Sequence, residues 1–165
     1  MQLPEDLCEA FFRKAAEIPD EQLSVVEGTH INGREMDPHI TVKYGLHTSD
    51  PAEVECVLKE YGPIEVTMLA VEKFESDDYD VLYVGADSDK LHDLNALITA
   101  KLECTDTHPE YMPHATLAYV KKDIADKLVG DEFVKGRKFV VDRVVFSRPD
   151  GTKKEILLSS GSGGE

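Results

Sequence analysis

An α+β fold of two similar lobes is what the sequence predicts, on three observations. Pairs of strand-like runs with turn signals between them are interspersed with amphipathic helices. A heptad occurs twice, PHITVKY at residues 38–44 and PHATLAY at residues 113–119. Each copy stands beside a helix and a strand pair, so the chain reads as one half built twice.

The elements follow in order. In "LPEDLCEAFFRKAAEIP", Pro4 and the acids open a helix, and Leu7, Phe11, Phe12, Ala15 and Ile18 form its apolar stripe. Arg13 and Lys14 sit near its negative end. "LSVVEG" is a short strand, and "THINGREMD" is a polar loop with an Asn-Gly turn signal. The first histidine strand comes next.

"DPAEVECVLKEYG" is a helix with Asp50 as N-cap, Pro51 at its first position and Glu53 closing a capping box. Val54, Val57, Leu58 and Tyr61 make its stripe, and Gly62 ends it. "PIEVTMLAVEKF" and "YDVLYVGA" are strands joined by the acidic turn "ESDD". "SDKLHDLNALITAKLE" is the third helix, with Leu91, Leu94, Leu97, Ile98 and Leu102 inward. After the second histidine strand, "IADKLVG" makes one or two helical turns. "KFVVDRVVFS" and "KKEILLS" close the chain as a hairpin around "RPDGT". Residues 1–158 are read as a single domain of two lobes, and 159–165, "SSGSGGE", as a flexible tail.

Composition narrows the classes. With 41% hydrophobic and 31% charged residues, the chain has the make-up of a soluble globular domain. No apolar run approaches the roughly 20 residues of a membrane helix, and the acidic N-terminus lacks a secretory pattern, so no membrane partner is expected. Cys8, Cys56 and Cys104 form no C-x-x-C pair and fall in predicted helices. That pattern suits buried free thiols and a cytoplasmic location. The 33 acids against 18 bases, a net charge of −15, disfavour a long nucleic acid, whose phosphates call for a basic surface. A small anion remains a possible ligand, because a short-range site can be locally positive. The sequence does not set the oligomeric state.

The heptad carries the chemistry. Alternate strand residues share a face, so His39, Thr41 and Lys43 point one way and Ile40, Val42 and Tyr44 the other. In the second copy His114, Thr116 and Ala118 share a face, with Ala115, Leu117 and Tyr119 opposite. Two His-Thr pairs are costly to bury, so they are expected to face a cleft, while the tyrosines go to the core. Pro38 and Pro113 suit strand starts, where no ladder donor is lost. If a pseudo-twofold axis relates the halves, two imidazoles and two hydroxyls surround one centre. One imidazole then serves as base and the other as acid, and the hydroxyls bind the oxygens of a phosphodiester.

The twin His-x-Thr pattern, each followed by an apolar residue (His39, Thr41, Val42 and His114, Thr116, Leu117), resembles the 2H phosphoesterase superfamily. Its members include LigT-like 2′,3′-cyclic nucleotide phosphodiesterases, RNA-processing exonucleases and phage enzymes that cut cyclic oligonucleotide signals. The resemblance covers most of residues 23–158. It implies a cleft between two antiparallel sheets with helices outside, catalysis by His39, Thr41, His114 and Thr116, a small nucleotide substrate, and neither metal nor cofactor. This chain departs from the family in opening with a helix where members often open with a strand.

Other readings stand beside it. Core histidines leave the matching threonines without a reason. Lys43 either contacts a phosphate or is simply exposed, and Tyr111 either stacks a base or packs its loop. His30, His47, His92 and His108 follow no common pattern and are read as solvent-facing. "ESDDYD" and "ADSD" lack a calcium-loop pattern and read as solvated turns. The functional alternatives are a non-catalytic protein that sequesters a nucleotide and a zinc hydrolase.

Overall fold

The longest strands set the main sheet. In the computed structural model, which describes residues 1–29, 31–59, 61–105 and 110–158, β1 (Ile64–Glu75) and β2 (Asp80–Asp87) pair antiparallel across the acidic turn. β3 (His114–Val120) pairs with β2, and β4 (Lys138–Val141) with β1, giving the antiparallel order β3-β2-β1-β4. β5 (Arg143–Ser147) and β6 (Lys153–Leu157) form a second, two-stranded antiparallel sheet. The chain is thus α+β, built on two antiparallel sheets.

One predicted strand is two. "KFVVDRVVFS" splits at Asp142, with β4 joining the large sheet and β5 the small one. The burial pattern shows why. Val141 and Val144 are both buried, three residues apart, which one flat strand cannot satisfy, and the Asp142 carbonyl instead accepts from the Leu158 amide at 2.6 Å. The tail at 159–165 lies outside the described residues, as do His30 and His108.

Among the described residues three α-helices pack with these strands, the first against β3, the third against β1 and the second against the third. α1 (Glu5–Ala16) buries Leu7, Phe11 and Ala15, and Ile18 beyond its end is buried too. Phe12, placed in the stripe by sequence, is 41% exposed because it lies one position, about 100°, from Phe11. α2 (Pro51–Leu58) starts as expected, with the Asp50 carboxylate accepting from the Ala52 amide at 2.9 Å. The Asp50 amide is taken by the Thr48 hydroxyl at 3.0 Å rather than by Glu53, and the helix ends at Leu58, ahead of Gly62. α3 (Asp89–Lys101) is capped by Ser88 and buries Leu91, Leu94 and Ile98, with Leu97 half-buried. "IADKLVG" holds a single short 3₁₀ turn, Ala125–Lys127. No helix among the described residues is long and apolar enough to cross a membrane.

Two further expectations change. Cys56 is exposed on α2, and Cys104 lies past α3 in a bridge to Leu46, while Cys8 is half-buried with its thiol pKa raised by burial. The segments around Leu23 and His39 are not regular strands. They lie along β3 by isolated bridges, Leu23 to Val120, Arg34 to Ala118 and Ile40 to Ala115. On its other side the His39 segment meets an extended stretch at Met1–Leu3, ahead of α1, with Gln2 bridged to His39.

Candidate active site

The bridge between Ile40 and Ala115 brings the two copies of the heptad together. It is antiparallel, so its register sets His39 across from Thr116 and Thr41 across from His114. Ile40 and Ala115 are both fully buried, and alternation puts all four polar residues on the opposite, open face. The two histidines then stand on a diagonal of the ladder, about 7–8 Å apart between backbone positions. That span suits two groups flanking one phosphoryl centre, each within about 3 Å of an oxygen.

Both rings are held in the same way. His39 Nδ1 lies 2.7 Å from the carbonyl of Asp37, and His114 Nδ1 lies 2.8 Å from the carbonyl of Met112, two residues back in each case. A carbonyl only accepts, so Nδ1 carries the hydrogen in both rings and Nε2 is the nitrogen that exchanges a proton. His114 also packs edge-on against Phe74 and Tyr83, each with ring centres 5.1 Å away, and those two rings stack on each other at 4.1 Å.

The tyrosines are where sequence parity fails. The pairing of β2 with β3 shifts between Leu82 and Tyr83, which leaves Leu117 as an extra residue in β3. Leu117 and Ala118 are therefore both buried, and Tyr119 turns to the face of His114 and Thr116. The Thr116 hydroxyl approaches the Tyr119 phenol, and this contact offsets part of the rise that burial imposes on the Tyr119 pKa. In the first copy Tyr44 is 62% exposed, and Thr41 Oγ1 donates to its hydroxyl at 3.0 Å. Neither tyrosine belongs to the core. Each is the neighbour of its own motif threonine.

Because the first copy is irregular, its carbonyls need partners from elsewhere. The Tyr111 hydroxyl donates to the Thr41 carbonyl at 2.8 Å, and Asn95 Nδ2 donates to the Val42 carbonyl at 2.7 Å. Tyr111 is thus a brace for the site, with its pKa raised by burial and its ring edge-on to His92 at 5.4 Å. The sequence reading misses Asn95. Its signal is a polar residue set among Leu91, Leu94 and Ile98 on the inner side of α3.

A cavity of about 610 Å³ opens beside the first copy. His39, Thr41, Lys43 and Tyr44 line it, whereas His114 and Thr116 do not. His47 reaches its edge and lies 2.8 Å through Nε2 from the Thr105 hydroxyl, so it is an exposed loop residue as expected. The acidic turn is structural, since buried Asp80 pairs with Lys122 at 2.9 Å.

Comparison with known proteins bears on the fold and the family. No curated protein matches the chain significantly. Among solved structures, the chain is similar to the crystal structure of TT0787 of Thermus thermophilus. The TM-score is 0.64 over 95% of this chain and 94% of that one, at 13% identity, which is a likeness of fold. A match to the 2′-5′ RNA ligase superfamily spans residues 8–153 and takes in both histidine segments, and the chain belongs to that superfamily.

Proposed function

We propose that this protein is a phosphodiesterase of the 2H type, acting on a small nucleotide: a 2′,3′-cyclic phosphate, a short oligonucleotide or a cyclic oligonucleotide signal. The observation that carries the reading is the register at Ile40 and Ala115, together with the matched Nδ1 anchors of the two rings. In the reaction, Nε2 of one histidine takes a proton from the attacking water or hydroxyl as its oxygen bonds to phosphorus. Nε2 of the other, protonated, gives its proton to the leaving oxygen as that P–O bond breaks. The hydroxyl pairs Thr41–Tyr44 and Thr116–Tyr119 supply the hydrogens that bind the non-bridging oxygens, where negative charge shifts during the displacement. The net charge of −15 favours a short substrate over a polymer, whose many phosphates it repels.

The test is a panel of cyclic mononucleotides, short oligonucleotides and cyclic oligonucleotides, incubated with the protein in EDTA and read by mass spectrometry. Product is expected, and His39→Ala and His114→Ala are each expected to lower turnover by about a hundred- to ten-thousandfold with the fold intact. Near-normal turnover in either variant refutes the assignment. Binding without product identifies a sequestering protein instead, and activity lost in EDTA but restored by zinc identifies a metalloenzyme.

A further inference from the structure

The protein contains five arginines: Arg13, Arg34, Arg137, Arg143 and Arg148. Four of them meet carboxylates. Arg13 lies near Glu9, Arg34 binds Asp20, Arg137 binds Asp6, and Arg143 binds Asp142 and Glu155. Arg148 is held differently. Its Nε donates to the Ser49 carbonyl and its Nη1 to the Thr152 hydroxyl, each at 3.0 Å. Among the described residues no carboxylate lies within ion-pair distance of this guanidinium. Asp150, in the same turn, spends Oδ1 on the Thr152 amide at 2.9 Å and on the Thr152 hydroxyl at 2.6 Å.

In a chain with 33 acids and 18 bases, such a cation calls for an explanation. Two neutral oxygens hold the guanidinium in place, and Asp150, whose carboxylate feels its charge, is already bonded to Thr152, so the guanidinium stays available to an anion. Its position supplies the rest. Arg148 lines the cavity beside His39 and Thr41, as do Lys43 and Lys153, while Val54, Leu58 and Phe146 line the same cavity with apolar surface. Apolar walls with a few placed cations suit a planar base carrying a phosphate.

We propose that this cavity is a second nucleotide subsite, in which Arg148 holds a phosphate one nucleotide removed from the phosphate at His39 and His114. A substrate that fills it carries at least two phosphates, so a dinucleotide or a small ring is favoured over a mononucleoside cyclic phosphate. This subsite rests on the phosphodiesterase reading only for the identity of the neighbouring phosphate.

Equilibrium binding tests it without needing turnover. The probe is a phosphorothioate-linked diadenylate carrying a terminal phosphate at its 5′ end, at its 3′ end, or at neither, titrated by calorimetry into the full chain. A terminal phosphate at one end is expected to tighten the dissociation constant by about ten- to hundredfold, the range of charge-assisted hydrogen bonds. Arg148→Ala and Arg148→Gln are both expected to erase that gain, so that within each variant the phosphorylated and unphosphorylated probes bind alike. A terminal phosphate that adds nothing at either end in the unmodified protein overturns the subsite, as does a gain that survives both substitutions. If the phosphate gain appears but no member of the cyclic mononucleotide, short oligonucleotide and cyclic oligonucleotide panel is cut, the subsite stands and the hydrolytic reading falls. If dinucleotides are cut with no such gain, the reverse holds.

Discussion

At the scale of single residues, the repeat is longer than a His-x-Thr pair. Its tyrosine, five positions after the histidine, keeps company with its threonine in both copies. The sequence makes the tyrosine visible but misplaces it, because strict alternation sends residue i+5 to the opposite face from the histidine. What undoes that inference is one extra residue in β3 at Leu117 and the irregular backbone after Thr41, and neither leaves a mark in a residue pattern. A hydroxyl that accepts from Thr41 fixes the threonine rotamer and offers its own hydrogen to an incoming oxyanion. Tyr44→Phe is therefore expected to weaken substrate handling by about 3- to 10-fold in kcat/KM, the worth of one ordinary hydrogen bond. Thr41→Val combined with Tyr44→Phe should cost less than the sum of the two, since both remove the same bond. Fully additive losses in that cycle show that the pair does not act together.

At the scale of elements, the helices and the β1–β2 pair are legible because local chemistry decides them. Asp50 and Ser88 cap helices whose apolar spacing is helical, and the acidic turn separates two runs rich in Val and Leu. The His39 segment reads as a strand from its alternation, yet it is joined to its neighbours by single bridges. Its shape is set by contacts far along the chain. Gly45 makes one of them possible: at φ +77°, a Cβ there would stand 2.2 Å from the Thr105 carbonyl oxygen. Asn95 and Tyr111 make the others, supplying donors to the carbonyls of Val42 and Thr41 that no strand partner serves. These partners lie 53 and 70 residues away, which is why no local pattern announces them. Asn95→Leu keeps the helix but leaves the Val42 carbonyl without that donor. The expected cost is about 1–3 kcal/mol of stability, together with a loss of turnover larger than that of a surface substitution on α3. Unchanged urea midpoint and turnover in this variant contradict the bracing role.

At the scale of the whole molecule, the α+β class and its antiparallel sheets are readable from element order, whereas the division of strands between the sheets is not, since it turns on the break at Asp142. The same tertiary packing has a consequence for alkaline stability. Tyr61, Tyr83, Tyr111 and Tyr119 all have raised pKa values, with burial the leading cause in each and the effect strongest at Tyr111. A tyrosine whose folded pKa exceeds its unfolded value of about 10 keeps its proton in the native state after the unfolded chain has lost it. Stability from these groups is thus complete below about pH 10 and declines as pH rises beyond it. The hydroxyls of Tyr61 and Tyr111 add a structural reason, because each donates to a carbonyl, of Lys90 and Thr41 respectively, and a tyrosinate has no hydrogen to give. Lys14 and Lys122, raised by hydrogen bonds to Asp131 and Asp80, act in the same direction. The urea midpoint is expected to hold level up to about pH 9.5 and to fall steadily above about pH 10. Tyr111→Phe separates the phenol from the lysines: it should start from a lower midpoint at neutral pH, having lost its bond to Thr41, and then decline less steeply. A midpoint that stays flat to about pH 11.5 in the unmodified protein, or an equal slope in the variant, removes the buried phenols from the account.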